Sequence, residues 1–132
     1  MGLEFIRTTN AEIADTPLSQ AVRAGDFLFI SGQVGRRASG EWALETLESQ
    51  TRVTLQNVQA IVEAAGGSLA SICKVQTFLA DAADYEEYNA IYREVFPAPR
   101  PARSTIVTQL VRPELRIEIE AIAYLGADEP QA

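Results

Sequence analysis

Two charged side chains in the C-terminal third of the sequence could bind and activate a small ligand. Arg103 and Glu118 each stand in a segment rich in β-branched residues. A guanidinium forms a two-pronged pair of hydrogen bonds with a carboxylate. A carboxylate in a partly dry cleft can serve as a general base or acid. The simpler alternative is that the two residues form a cross-strand ion pair without further function.

The spacing of the two residues argues against that ion pair. Residue alternation predicts strands over 102–110 and 116–124, joined in a hairpin by a turn near Pro113. In the register that this turn predicts, Arg103 and Glu118 lie about five residues, or about 16 Å, apart along the sheet. If both residues serve one site, we therefore expect that site to lie between subunits rather than within one hairpin.

Other candidate residues carry weaker signals. Residues 27–30 form a short apolar and aromatic run that predicts a strand buried on both faces. Ser31 and Gly32 follow it in a loop, where backbone amides could approach a ligand closely, although a simple turn fits equally well. Cys73 has no histidine to activate it, and we interpret it as a structural thiol.

The composition excludes several kinds of chemistry. The chain has 132 residues, one cysteine and no histidine, which removes histidine-dependent nucleophiles and imidazole metal sites. Neither a phosphate-binding loop motif nor a calcium-loop spacing of acids occurs. We therefore expect no metal and no organic cofactor. A formal net charge of −7, with the arginines scattered among acids, predicts no binding to nucleic acid.

The sequence also carries no sign of membrane insertion or export. No apolar run approaches the roughly 20 residues of a membrane-spanning helix. The N-terminus lacks the basic start and apolar stretch of a signal peptide. We expect a cytoplasmic protein that does not bind membranes.

The remaining pattern predicts one α+β domain over residues 1–126, followed by a flexible tail over 127–132. The predicted elements are a strand over 19–23 paired with 27–30, an amphipathic helix over 46–65 with Gln50 on its polar side, a strand over 73–79, a helix over 84–96 and the two final strands; an additional strand over 5–8 is allowed. Two helices on one sheet face would leave the other face with mixed charged and apolar groups. We expect a second subunit to cover that face, with a small-ligand cleft at the seam.

Several of these segments together resemble the YjgF/RidA family of reactive intermediate deaminases, which also carries the name endoribonuclease L-PSP. The resemblance extends from about residue 5 to 124. It implies a chorismate-mutase-like mixed sheet with two helices on one face, assembled as a homotrimer with clefts between subunits. The matching segments are Ser-Gly-Gln at 31–33, Asn-Val-Gln-Ala-Ile-Val-Glu-Ala-Ala-Gly-Gly at 57–67, Tyr-Asn-Ala-Ile-Tyr at 88–92, Pro-Ala-Arg-Ser at 101–104 and Ile-Glu-Ile-Glu-Ala-Ile-Ala at 117–123.

The resemblance further implies an activity in metabolite damage control. It implies that the protein hydrolyses 2-imino acids such as 2-iminopropanoate or 2-iminobutanoate to the 2-oxo acid and ammonia, without a cofactor. At the matching positions, Arg103 would bind the substrate carboxylate. Glu118 would position the attacking water with help from Ser31 and Gly32, and Asn89 would lie near the cleft.

Two residues depart from the family pattern. Thr105 replaces a common cysteine, and Leu18 replaces a tyrosine that would touch the ligand, which predicts a more apolar cleft. Both positions remain expected ligand contacts. The departures keep a second hypothesis open, a non-catalytic regulatory protein that binds small carboxylates. An endoribonuclease or translation inhibitor is a weaker third, because the acidic charge and the missing histidine disfavour RNA cleavage.

Overall fold

The computed structural model of the protein describes residues 2–9 and 16–126, so the tail predicted over 127–132 lies outside the described residues. The predicted α+β class is confirmed. Two short 3₁₀ turns, Leu69–Ser71 and Ala82–Asp84, precede a strand and a helix respectively. The elements are β1 (Glu4–Ile6), β2 (Ala21–Ala24), β3 (Phe27–Gln33), α1 (Leu47–Ala64), β4 (Ile72–Leu79), α2 (Tyr85–Val95), β5 (Ala102–Val107) and β6 (Ile117–Tyr124).

Local signals set the ends of both helices. Before α1, the Thr46 hydroxyl accepts a hydrogen bond from the Ser49 amide, and the Ser49 hydroxyl accepts one from the Thr46 amide. This reciprocal pair satisfies two donors that a helix start leaves free. Gly66 follows α1 with a φ of +93°, a conformation that glycine adopts at little cost. Helix α2 ends at Val95, two residues before Pro97.

The strands form one mixed sheet in the order β1-β2-β3-β6-β4-β5. Strand β6 lies antiparallel between β3 and β4, and β5 is an edge strand parallel to β4. The predicted hairpin of the last two strands is therefore wrong, because β4 separates them. Helix α2 carries the chain back along β4, as a parallel neighbour requires, and residues 108–116 then lead to the other side of β4.

The helices cover one face of the sheet only. Helix α1 packs across β3 and β6 and against α2. In β3, Leu28 and Ile30 are buried beneath the helices, whereas Phe27 and Phe29 on the other face are 45% and 48% exposed. The prediction that this strand is buried on both faces is thus wrong for the single chain, since no part of the chain that the structure describes covers Phe27 and Phe29 on the second face.

The uncovered face, which we call the open face, mixes apolar and charged side chains as predicted. Ile122 and Tyr124 of β6 share it with Glu118 and Glu120, because alternate residues of a strand point to the same face. Exposed aromatic rings extend the apolar part toward β1. No helix of the described chain is long and apolar enough to cross a membrane.

Gln50 of α1 is fully buried, contrary to the prediction that it lies on the polar side of the helix. The Gln50 amide donates a hydrogen bond to the Glu114 carbonyl and accepts one from the Arg116 amide. These bonds attach the segment before β6 to α1. Because Glu118 lies two residues after Arg116, they also help to place its carboxylate.

Candidate functional site

Arg103 and Glu118 lie on opposite faces of the sheet. Arg103 pairs with Val75, a core residue beneath the helices, whereas Glu118 pairs with Phe78 on the open face. Directly paired residues project to the same face of a sheet. One chain therefore does not bring the two side chains into one site. Each lies in a separate cluster: the Glu118 half-site (Leu18, Ser31, Gly32, Glu118) and the Arg103 half-site (Tyr85, Asn89, Arg103, Thr105).

The Glu118 carboxylate lies against the α-carbon of Gly32. The pairing of β3 with β6 shifts register between Ile30 and Gln33, which moves Gly32 toward its neighbour. A Cβ at Gly32 would lie 3.0 Å from Glu118 Cδ and nearer still to Oε2. A side chain at this position would displace the Glu118 carboxylate, so the close approach of that group, rather than backbone conformation, favours glycine here.

Ser31 is held by the segment that contains Leu18. Its hydroxyl donates to the Ser19 carbonyl at 2.6 Å, and its amide donates to the Gln20 carbonyl at 2.9 Å. The Ser31 amide is therefore not free for a ligand, but the hydroxyl oxygen keeps its acceptor lone pairs. Leu18 precedes this contact and is 47% exposed, so it forms an apolar rim beside Ser31.

The electrostatics of this half-site favour a protonatable carboxylate. Burial raises the pKa of Glu118, and the nearby charge of Glu120 raises it further. Within residues 2–9 and 16–126, no arginine or lysine forms an ion pair with Glu118. A carboxylate with a raised pKa is a stronger base, and it can also hold a proton nearer to neutral pH.

Arg103 packs onto three tyrosine rings of α2. Its guanidinium carbon lies 4.7 Å from the ring centroid of Tyr92, 5.1 Å from that of Tyr88 and 5.8 Å from that of Tyr85. Arg103 Nη2 also donates a hydrogen bond of 3.2 Å to the Tyr85 hydroxyl. Aromatic faces attract the cation without cancelling its charge. In the described part of the chain no carboxylate pairs with Arg103, so its charge is available to an anionic ligand.

A cavity of about 350 Å³ opens beside Arg103 and is lined by Ala82, Tyr85, Arg103, Thr105 and Val107. The Thr105 hydroxyl is buried and has no hydrogen-bond partner among the described residues. A buried hydroxyl without a partner is costly, and a ligand could supply one. Asn89 lies one turn after Tyr85 on α2, half-buried, and shares that side of the helix.

Sequence reasoning missed Tyr85 and the influence of Glu120 on Glu118. The predicted apolar side of α2 began at Tyr88 and so did not include Tyr85. The usable signal was its spacing of three and seven residues from Tyr88 and Tyr92, which places the three rings on one side of the helix. No group of three or more histidine, cysteine or acidic residues in the described ranges is arranged to hold a metal.

Comparison with known proteins identifies relatives along nearly the whole chain. The family model described as Endoribonuclease L-PSP matches residues 8–125. A RutC family protein of Pyrococcus horikoshii is 43% identical over 122 residues, covering 92% of this chain and 97% of that protein. The 2-iminobutanoate/2-iminopropanoate deaminase of Salmonella typhimurium is 38% identical over 121 residues, 89% of this chain and 94% of that enzyme. The crystal structure of Escherichia coli TdcF with bound serine superposes with a TM-score of 0.86 at 35% identity, covering 92% and 98% of the two chains.

Proposed function

Because the chain belongs to the endoribonuclease L-PSP family, which includes the RidA deaminases, we propose that it hydrolyses small 2-imino acids. The products would be a 2-oxo acid and ammonia, and 2-iminopropanoate and 2-iminobutanoate are the expected substrates. The observation that carries the proposal is a pair of complementary groups: Arg103, whose charge meets no carboxylate of the described residues, and Glu118, whose pKa is raised. The first suits a substrate carboxylate and the second suits proton transfer.

The two half-sites would meet between subunits of a homotrimer. Arg103 stands on the edge strand β5, and Glu118 stands on the open face. A second copy that covers the open face would bring its own edge to Glu118. The open face offers an apolar surface for this contact, with Phe5, Phe27 and Phe29 all exposed. Large exposed apolar patches are typical of protein interfaces.

In the proposed reaction, Arg103 binds the substrate carboxylate and fixes the imine carbon near Glu118. The Glu118 carboxylate accepts a proton from water as the water oxygen bonds to that carbon, and it passes this proton to the imine nitrogen, onto which the C=N π electrons have moved. In the resulting tetrahedral intermediate, Glu118 takes the proton of the new hydroxyl group and delivers it to the amine nitrogen. The C–N bond then breaks, ammonia leaves and the carbonyl forms. Ser31, Gly32, Asn89, Thr105 and Leu18 would shape the cleft around the substrate.

Ammonia release from freshly generated 2-iminopropanoate tests this function. The wild-type protein should accelerate the release, and Arg103→Ala should lower kcat/KM by about 30-fold or more, because truncating one partner of a buried charge pair costs about 2–5 kcal/mol. Arg93→Ala is the matched control, since Arg93 is exposed on α2. An Arg103→Ala rate equal to that of wild type would exclude the role given to Arg103, and an inactive wild type would exclude the reaction.

A non-catalytic carboxylate-binding protein is the second candidate. The Ser31 hydroxyl and amide already donate hydrogen bonds to backbone carbonyls, so the Glu118 half-site has few free donors with which to orient an attacking water. This shortage of donors favours binding without catalysis. The bound serine of TdcF supports a ligand that carries a carboxylate. Calorimetric binding of 2-oxobutanoate without any ammonia release would decide for this candidate. RNA degradation that disappears in Glu118→Ala would instead support the activity in the family name.

A further inference from the structure

Tyr85 places a phenol at the mouth of the cavity beside Arg103. Its oxygen accepts the hydrogen bond from Arg103 Nη2 at 3.2 Å, and the side chain is 38% exposed. The phenol is the acceptor in this bond, so its own proton is not used there. Within the described residues the Tyr85 hydroxyl has no other hydrogen-bond partner. A free donor therefore stands directly beside the guanidinium, facing a cavity of about 350 Å³.

The other two tyrosines of the cluster have different surroundings. The Tyr88 hydroxyl is hydrogen-bonded to Thr77 in the core. Tyr92 is also buried, and this burial raises its pKa to about 12. The rings of Tyr88 and Tyr92 pack against the Arg103 guanidinium from the core side, and neither residue lines the cavity. Of these three described tyrosines, Tyr85 alone combines a contact between its hydroxyl and Arg103 with a position in the lining of the cavity.

We infer that Tyr85 is a further substrate-binding residue, whose phenol donates a hydrogen bond to the same carboxylate that Arg103 binds. An ionised carboxylate accepts about four hydrogen bonds. The arginine fork supplies two of them, and the Tyr85 phenol supplies a third while keeping Nη2 in place. The inference rests on the proposed function only in requiring that the ligand carries a carboxylate. Tyr85 also supplies a phenol to the Arg103 half-site. The Glu118 half-site lacks the phenol of the family pattern, because Leu18 stands in place of that tyrosine.

Tyr85→Phe tests the inference, because it removes the hydroxyl and keeps the ring that contacts Arg103. Calorimetry with 2-oxobutanoate should show a Kd raised about tenfold, the usual effect of losing one hydrogen bond to a charged group. Thermal unfolding should remain at the wild-type temperature. Ser39→Ala is the control, since it removes an exposed hydroxyl that belongs to neither half-site, and its Kd should not change.

Ammonia release from 2-iminopropanoate separates this inference from the proposed function. With an active enzyme, Tyr85→Phe should raise KM and leave kcat unchanged, as expected for an interaction present equally in the ground and transition states. If the wild type binds 2-oxobutanoate but releases no ammonia, the proposed function fails, and the Kd of Tyr85→Phe still decides the role of Tyr85. A wild-type Kd in Tyr85→Phe overturns the inference. Equal weakening by Tyr85→Phe and Ser39→Ala, or no binding of 2-oxobutanoate by the wild type, also overturns it.

Discussion

Replacing Gly32 with alanine should displace the Glu118 carboxylate while leaving the fold intact. The new Cβ would lie 3.0 Å from Glu118 Cδ and 3.3 Å from its Cγ, with Oε2 nearer still. Comfortable contacts between carbon atoms are about 3.5–4.0 Å. The carboxylate would therefore have to retreat by about 1 Å. Because the obstructing group is the end of a flexible side chain, the backbone need not move.

A displacement of this size should affect catalysis far more than stability. A 1 Å misplacement of a reacting group can cost about 100-fold in rate, equivalent to about 2.7 kcal/mol of activation free energy. We expect kcat/KM for 2-iminopropanoate to fall by about that factor in Gly32→Ala. The free energy of unfolding, measured in urea, should change by less than about 1 kcal/mol.

A double-mutant cycle provides the control for this prediction. In a Glu118→Ala background the new methyl group has no carboxylate to displace, so Gly32→Ala should cause little further loss of activity. Full activity of the single Gly32→Ala variant would refute the reasoning, because the position of the carboxylate would then not matter. An equal loss in both backgrounds would refute it as well, because Gly32 would then act through something other than Glu118.

Three further predictions concern neighbouring residues. Glu120→Gln should lower the pKa of Glu118 by removing a like charge, so the acid limb of the pH profile of kcat/KM should move to lower pH; an unmoved limb would contradict this. Glu118→Gln should raise the thermal unfolding temperature at pH 7. The raised pKa means that the wild type is most stable below the ordinary value of 4.5 and loses stability as the carboxyl ionises, so the advantage of the variant should vanish near pH 4. Gln50→Ala should lower the free energy of unfolding by about 2–4 kcal/mol, because it removes both hydrogen bonds of a fully buried side chain and leaves a cavity. The exposed Gln56→Ala should change that free energy by less than about 0.5 kcal/mol, and equal effects of the two variants would contradict the role of Gln50.

Local features of the sequence predicted the elements well. The helix expected over 46–65 is observed as Leu47–Ala64, because its apolar periodicity, its capping residue Thr46 and its terminating Gly66 all act within a few residues. Gln50 was assigned to the wrong environment, since its partners lie 64 and 66 residues away in the chain. A polar residue on a helix is usually exposed, and only a distant backbone segment made burial favourable here.

The sequence by itself determined which chemistry is available to this protein and which elements carry it. The absence of histidine, the Arg103 and Glu118 side chains and the alternation of the strands can all be read without a structure. The tertiary structure decided how these parts face one another. It placed β4 between β5 and β6, so that a whole strand separates Arg103 from Glu118, and it brought Tyr85 to Arg103. Strand alternation shows which residues share a face of one strand, but not which strand lies beside it. That choice depends on long-range packing, which the local pattern does not encode.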